Sequence, residues 1–228
     1  MRKILLILSV VVFSIGAFAQ NCETYIPTTV GTKVTTEHYD KKDKLTSTET
    51  TEIKSVEMVD GKQKVVVEVE SIDADGISSG KSELTYYCNG NVFEVDTKSM
   101  LDQNQMGAYE SMQIEYTFEN LQYPANMTEG MTLEDGYVEA VVSNEGMKIM
   151  TLRVDIKDSK VEAIESITVP AGTYDAAKIN QTIISKTGFI TIQMQSIQWM
   201  VKGIGAVRTE TYNKKGKLVG YSIVKSVE

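Results

Sequence analysis

The stretch WMVKGIGAVRTETYNKKGKLVGY, residues 199–221, sets the pattern that the rest of the chain follows. It reads as a strand, a glycine-containing bend, a strand, a polar turn and a last strand. Residues 203–218 align without a gap on residues 30–45, VGTKVTTEHYDKKDKL. Two such hairpins near opposite ends of the chain predict either the two edges of one sheet or the two ends that close it. The identical pairs include Val34/Val207, Thr36/Thr209, Glu37/Glu210, Tyr39/Tyr212, Lys41/Lys214, Lys42/Lys215, Lys44/Lys217 and Leu45/Leu218.

Apolar and polar residues alternate along most of the chain, whereas helical periodicity is scarce. Turn signals such as Asp60-Gly61 and Asn89-Gly90 separate the alternating segments. These signals predict about twelve or thirteen strands joined by tight turns. No linker rich in proline, glycine or serine divides residues 20–228, so we expect them to form a single domain. Because twist accumulates in so long a meander, we predict an all-β fold with minor α content: a large curved antiparallel sheet or open half-barrel.

Three segments depart from this alternation. Residues 98–112 have no β-branched side chain, so we predict one short helix there, on the concave side of the sheet, although Gly107 weakens it. The segment at 123–130 reads as a loop. In residues 189–201 the apolar positions change from even to odd numbers, which predicts a β-bulge near residues 195–196.

The first 19 residues predict a secretory signal peptide. Arg2 and Lys3 precede an apolar run, and Ala17-Phe18-Ala19 provides a small-x-small cleavage site. We therefore expect cleavage after Ala19 and export to the periplasm or the extracellular space. Later segments are not continuously apolar, so no transmembrane segment is predicted in the exported part. Asn21 precedes Cys22 where a lipobox needs a small residue, and Cys22 is interpreted as an ordinary residue of the mature chain.

The chain has two cysteines, Cys22 and Cys88. In an exported protein an even number of cysteines predicts a disulfide, and this one would tie the new N-terminus to the sheet. Closing so long a loop stabilises a fold by about 4 kcal/mol in the chain-entropy model. Two free thiols are the alternative interpretation.

Charge and residue types exclude several classes of chemistry. The net charge of −8 argues against nucleic acid and anionic membrane surfaces as partners. The single histidine, His38, is expected to be a surface strand residue, so no Ser-His-Asp or Cys-His system can be assembled. The segment at 73–76 is interpreted as a turn, since it lacks the later acids of a calcium loop. We predict no catalytic residues, no metal site and no cofactor.

The methionine-rich segment suggests where a ligand could bind. Flexible methionine side chains suit apolar ligands of varied shape. A groove between this segment and the curved sheet would be lined by Met100, Met106, Met112, Tyr116 and Trp199. The alternative is that the helix fills the sheet and the interior is packed core.

Four segments carry a resemblance to a known family: 86–91 (YYCNGN), 167–174 (ITVPAGTY), 199–207 (WMVKGIGAV) and 212–218 (YNKKGKL). They resemble the secreted TapB-like family of unknown function, which is similar in pattern to periplasmic carriers of the LolA/LolB type. The resemblance covers nearly the whole exported part. It implies a curved antiparallel sheet or half-barrel around helices, and it implies no catalytic residues.

The main functional hypothesis is a non-enzymatic envelope protein that binds an apolar ligand, a lipid or a lipidated peptide in the concave groove. A second hypothesis is an interaction module that joins another envelope protein through an exposed strand edge, for instance that of the hairpin at 30–45. A hydrolase is a third, for which we find no cluster of acids with a nucleophile. The sequence does not determine the oligomeric state.

Overall fold

The computed structural model describes residues 23–101, 106–107, 109 and 111–228. Strands dominate these residues, as the alternation predicts. A 3-10 turn at Thr97–Met100 lies between the fifth and sixth strands. The thirteen strands are β1 (Lys33–Asp40), β2 (Leu45–Val59), β3 (Lys62–Asp73), β4 (Ser78–Asn89), β5 (Val92–Val95), β6 (Gln113–Glu119), β7 (Leu121–Pro124), β8 (Gly136–Asn144), β9 (Met147–Val169), β10 (Gly172–Thr187), β11 (Ile190–Val201), β12 (Gly205–Asn213) and β13 (Leu218–Val227).

All thirteen strands belong to one antiparallel sheet that curls into a nearly closed barrel. Their order is β6-β8-β9-β10-β11-β12-β13-β1-β2-β3-β4-β5-β7. The two edge strands, β6 and β7, follow each other in the chain with only Asn120 between them. The sheet must therefore bend round until its edges meet. At that seam a Cβ on Gly136 of β8 would lie 2.7 Å from Cδ2 of Leu121 in β7, so these strands approach closely. The predicted all-β, curved antiparallel architecture is confirmed.

Thr97, at the start of the 3-10 turn, fastens the turn to the seam. Its side chain is 1% exposed. The hydroxyl donates to the carbonyl oxygens of Glu119 in β6 and Tyr137 in β8, at 3.1 and 3.0 Å. Its backbone N–H donates to the Asn120 side chain at 3.3 Å. Thr97 thus connects the 3-10 turn to β6, to β8 and to Asn120, the residue that links the two edge strands.

Replacing Thr97 by valine is expected to lower the free energy of unfolding by about 1–2 kcal/mol, because the shape is kept but buried carbonyls lose a donor. Chemical denaturation measures the change, and hydrogen exchange should become faster in β6 and β7. Thr117→Val, at an exposed position of β6, is the matched control. Equal stability of the two variants would contradict this role of the hydroxyl.

The two similar hairpins, β1–β2 and β12–β13, have the same turn. In each, a side-chain oxygen of the residue before the turn, Asp40 or Asn213, accepts from the backbone N–H groups two and four residues later. The hairpins are neighbours, since β13 pairs with β1 and Tyr39 stacks on Tyr221 at 5.1 Å between ring centroids. The prediction that they close the sheet is confirmed. The alternative, that they form its edges, is wrong because β1 pairs on its other side with β2.

Two local predictions need correction. The predicted bulge near residues 195–196 is wrong, because β11 stays in register with β10 from Ile190 to Met200. The apolar positions change parity because the two halves of the strand place them on opposite faces. The register shift falls instead beside Trp199, where Val207 of β12 is the extra residue. The predicted loop at 123–130 begins later, because β7 takes in its first two residues.

The predicted short helix and the N-terminal residues are described only in part. Within the predicted helix at 98–112, the structure has the 3-10 turn and helical backbone at Met106 and Gly107, while 102–105, 108 and 110 lie outside the described residues. Residues 1–22 also lie outside them, with the predicted signal peptide, its cleavage after Ala19, and Cys22. The pairing of Cys22 with the buried Cys88 stays a prediction.

One face of the sheet is concave, as its core shows. Phe93 and Tyr123, near the β7 edge, share a cluster with Ile179 and Met200 of β10 and β11, which are far away in the strand order. Only a sheet that curls towards this face can bring them together. Tyr25, from the segment before β1, fills the space between them. Pockets on this concave face therefore lie inside the curve of the sheet.

Candidate functional site

The concave side of β6, β8 and β9 carries an apolar layer. The alternation in β8 places Val138, Ala140 and Val142 on this face, where all three are buried. Leu101 and Met106, from the segment after the 3-10 turn, pack on this layer. Leu101 and Met106 thus lie against the inside of the sheet.

A cavity of about 390 Å³ opens between this segment and β6. We call it the Met106 pocket. Its volume is within the range of small-molecule sites. Its wall is apolar and its rim polar, so it suits a ligand with an apolar body and a polar end. The wall comprises Leu101, Met106, Ile114 and Tyr116, and the rim Asp96, Lys98 and Ser99.

The rim carries one cation that is free to meet a ligand. Lys98 Nζ lies 4.6 Å from the centre of the Tyr116 ring, which holds the ammonium over the pocket wall. Among the residues that the structure describes, no carboxylate lies within ion-pairing distance of it. Asp96 faces the turn instead, where its carboxylate accepts the Lys98 backbone N–H at 3.0 Å. An anionic group at the rim would therefore find Lys98 available.

The five predicted ligand-binding residues are only partly brought together. Met106 and Tyr116 line the Met106 pocket. Met112 packs in the same apolar layer, partly buried. Met100 is 42% exposed and lines a smaller neighbouring cavity of about 120 Å³. Trp199 lies elsewhere, in a cluster formed by β1 and β9–β13.

The Trp199 side chain makes a hydrogen bond and lies near two cations. Its indole N–H donates to Glu165 Oε1 at 2.7 Å, and Lys178 and Arg208 lie 5.6 and 5.9 Å from its ring. Met200, the next residue, is on the concave face and packs with Tyr25. Neighbours in a strand point to opposite faces, so Trp199 belongs to the other face. Alternation alone does not tell which face is concave.

A second apolar cavity, of about 540 Å³, lies beside the N-terminal segment. Tyr25, Met127, Ile164 and Met200 are among the residues that line it. This pocket was not predicted from the sequence, because its walls come from segments far apart in the chain. We call it the Ile164 pocket.

The position of His38 in a cavity was also not predicted from the sequence. Its side chain is 36% exposed, as expected of a strand residue near a turn, yet it lines a third cavity together with Glu49. Alternation in β1 indicates that His38 faces inward, because Val34, Thr36 and His38 share a face and Val34 is buried.

The acidic segment at 73–76 forms a turn. Asp73 Oδ1 accepts the backbone N–H groups of Asp75 and Ile77 at 2.9 and 2.8 Å, so this segment is the turn that was predicted. Within the described part of the chain, histidine, cysteine and acidic side chains form no group of three or more that could hold a metal ion. No described helix is long and apolar enough to cross a membrane.

Comparison with known proteins gives a family and a fold. A family model described as DUF3108-like matches residues 29–224. A candidate lipoprotein from Parabacteroides distasonis ATCC 8503 is 26% identical with a TM-score of 0.73, over 92% of this chain and all of that one. A candidate exported protein with a YmcC-like fold from Bacteroides fragilis NCTC 9343 is 20% identical with a TM-score of 0.70, over 91% of this chain and all of that one. A search of the curated proteins finds no match. The resemblance to TapB-like proteins and LolA/LolB-type carriers is not shown by these matches.

Proposed function

The chain belongs to the DUF3108-like family, and from that premise and the pocket geometry we propose that it is an exported protein that binds an acyl chain in the Met106 pocket. The acyl chain would belong to a lipid or to a lipidated peptide. Export is supported by the predicted signal peptide and by the two similar structures, a candidate lipoprotein and a candidate exported protein.

The Met106 pocket is the observation that carries this proposal. Its wall of Leu101, Met106, Ile114 and Tyr116 can bury methylene groups. Each buried methylene contributes about 0.8 kcal/mol, so an acyl segment of moderate length gains enough to offset the cost of association. Lys98 at the rim would meet a carboxylate or phosphate. The proposed role is non-enzymatic, namely the burial of an apolar chain against this wall.

The interaction-module hypothesis does not transfer to the hairpin at 30–45. Its strand β1 is hydrogen-bonded on one side to β13 and on the other to β2. A partner strand therefore has no free edge there. The sheet ends instead at β6 and β7, which meet at the seam.

Titration with dansyl-labelled undecanoic acid tests the proposal. The purified protein, stripped of any copurified lipid, should bind the probe with a rise in dansyl fluorescence. Met106→Asp should weaken binding at least ten-fold, because it places a charge in the apolar wall. Met147→Asp, at an exposed methionine, and Ile164→Asp, in the Ile164 pocket, are matched controls that should keep wild-type affinity.

Three results would overturn the proposal, two of which concern the Met106 pocket itself. One is the absence of probe binding to the wild-type protein after lipid removal. The other is equal binding by Met106→Asp and Met147→Asp with unchanged circular dichroism. A loss confined to Ile164→Asp would also contradict it, since the ligand would then occupy the Ile164 pocket.

A further inference from the structure

The third cavity on the concave face, of about 240 Å³, shares no residue with the Met106 pocket. We call it the His38 pocket. Residues of β12, β13, β1, β2, β3 and β4 line it, and Ile26 and Pro27 of the N-terminal segment cover one end. It therefore lies where the two similar hairpins meet.

The lining of the His38 pocket changes from apolar to polar along the strands. Near Ile26, the walls are Ile53 and Val67, both of them buried. Because β1 and β2 are antiparallel, the step from Val34 to His38 and the step from Ile53 to Glu49 run in the same direction. The pocket thus has an apolar end and a polar end, as a site for an amphiphilic molecule requires.

Glu49 supplies the one carboxylate at the polar end. Its partner among the described residues is His38, with 3.9 Å between Nε2 and Oε2. That distance is too long for a hydrogen bond. Burial raises the pKa of Glu49, and the nearby His38 opposes this rise. The carboxylate is thus partly removed from water with little compensation from the protein.

A hydroxyl group lies beside this carboxylate, because Thr36 of β1 pairs with Glu49. Ser222 and Thr209 line the same end from β13 and β12, further across the sheet. Within the described part of the chain the side chains of these three residues make no hydrogen bond. An ammonium group has three N–H donors and no acceptor. It could donate to Glu49 and to the Thr36 hydroxyl at once, whereas an anionic group would be repelled by the carboxylate.

We propose that the His38 pocket binds a small amphiphilic primary amine. Its ammonium group lies between Glu49 and the hydroxyl of Thr36. Its hydrocarbon part lies against Ile53 and Val67. This site is separate from the acyl-chain site and accepts the opposite charge.

The single histidine of the chain makes the proposal testable by NMR. The imidazole C–H resonances belong to His38 alone and report on the pocket directly. Hexylamine, which is cationic at pH 7 as a lysine side chain is, should shift them saturably. Hexanoate should cause no shift, and hexanol should bind at least ten-fold more weakly than hexylamine. Equal responses to hexylamine and hexanoate, or no response to hexylamine, overturn the proposal.

Glu49→Gln keeps the size of the side chain and removes its charge. It should weaken hexylamine binding at least ten-fold. Glu52→Gln is the matched control, because Glu52 is on the opposite face of β2, beside Lys33. Thr36→Val, which removes the hydroxyl beside Glu49, provides a second variant that should also weaken binding. Unchanged hexylamine affinity in Glu49→Gln rejects the assignment, and it leaves binding of the dansyl-labelled acid to the Met106 pocket unaffected.

Discussion

Replacing Phe93 by alanine is expected to lower the free energy of unfolding by about 3–5 kcal/mol, the range for removal of a buried aromatic side chain. Phe93 is 1% exposed, in the four-residue strand β5 next to the edge strand β7. Its ring centroid lies 5.3 Å from that of Tyr86, 6.0 Å from Tyr25 and 6.4 Å from Tyr123. The ring thus joins the N-terminal segment to three strands.

The cost of this substitution should be large because the cavity cannot collapse easily. Tyr123 and Tyr86 are held by the strands on either side, and burial raises the pKa of both Tyr25 and Tyr123 to about 12. The midpoint of thermal unfolding should fall by about 10 °C for a chain of this size.

Calorimetry and chemical denaturation measure the effect of Phe93→Ala. The matched control is Phe189→Ala, because Phe189 is fully exposed at the turn between β10 and β11. This control should stay within about 0.5 kcal/mol of the wild type. If the two alanine variants lose the same stability, the aromatic cluster is not a stabilising core.

Replacing Asp155 by alanine is expected to lower the free energy of unfolding at pH 7 by about 2–3 kcal/mol, the range for hydrogen bonds to charged groups. The Asp155 side chain is 2% exposed. Its Oδ1 accepts from Nε and Nη2 of Arg153 at 2.9 and 2.6 Å, and the ammonium groups of Lys157 and Lys186 lie 3.9 Å away. The cations stay hydrated, which keeps the loss below that of a fully buried pair.

The contribution of Asp155 to the free energy of unfolding should depend on pH. The hydrogen bonds from Arg153, and then the three positive charges, hold the pKa of Asp155 below its usual value of 3.8. A carboxyl whose pKa is lower in the folded state stabilises the fold fully above the unfolded-state pKa. That contribution disappears as the pH falls through the folded-state pKa. The stability difference between wild type and Asp155→Ala should therefore be constant from pH 7 to 5 and shrink below about pH 4.

Two further variants separate charge from hydrogen bonding. Asp155→Asn keeps an acceptor for Arg153 and should lose less stability than Asp155→Ala. Asp175→Ala removes an exposed carboxylate from β10 and should change little at any pH. A stability difference between wild type and Asp155→Ala that does not change with pH would show that packing, and not ionisation, is the contribution of this side chain.

Much of the fold could be predicted because its signals are local. Alternation in β3 and β8 depends only on neighbouring residues, and so do the turns that begin at Asp40 and Asn213. The similarity of the two hairpins left two predictions open, that they form the edges of the sheet or that they close it, and the pairing of β13 with β1 agrees with the second. Met106 and Tyr116 could be predicted to lie near one pocket because Met106 belongs to residues 98–112, which depart from strand periodicity, and Tyr116 belongs to the strand that follows.

Other features could not be predicted because they depend on distant pairing. Thr97 looks like any threonine before a helical turn, and its role arises only when β6 and β8 end beside it. Trp199 was assigned to the groove because a large aromatic residue suggests burial, but burial occurs on both faces of β11. His38 was taken for a surface residue because Glu49 comes next to it only through the pairing of β1 with β2.

The sequence by itself determined that this chain forms strands, where most of them turn, and that its two ends are equivalent hairpins. Those properties follow from residue periodicity and turn chemistry, which act over a few residues. Only the tertiary structure decided which face of the sheet is concave, that β6 and β7 meet at the seam, and which side chains share a pocket. These depend on the accumulated twist of thirteen strands and on the fit of Tyr25 and Phe93 inside the curve.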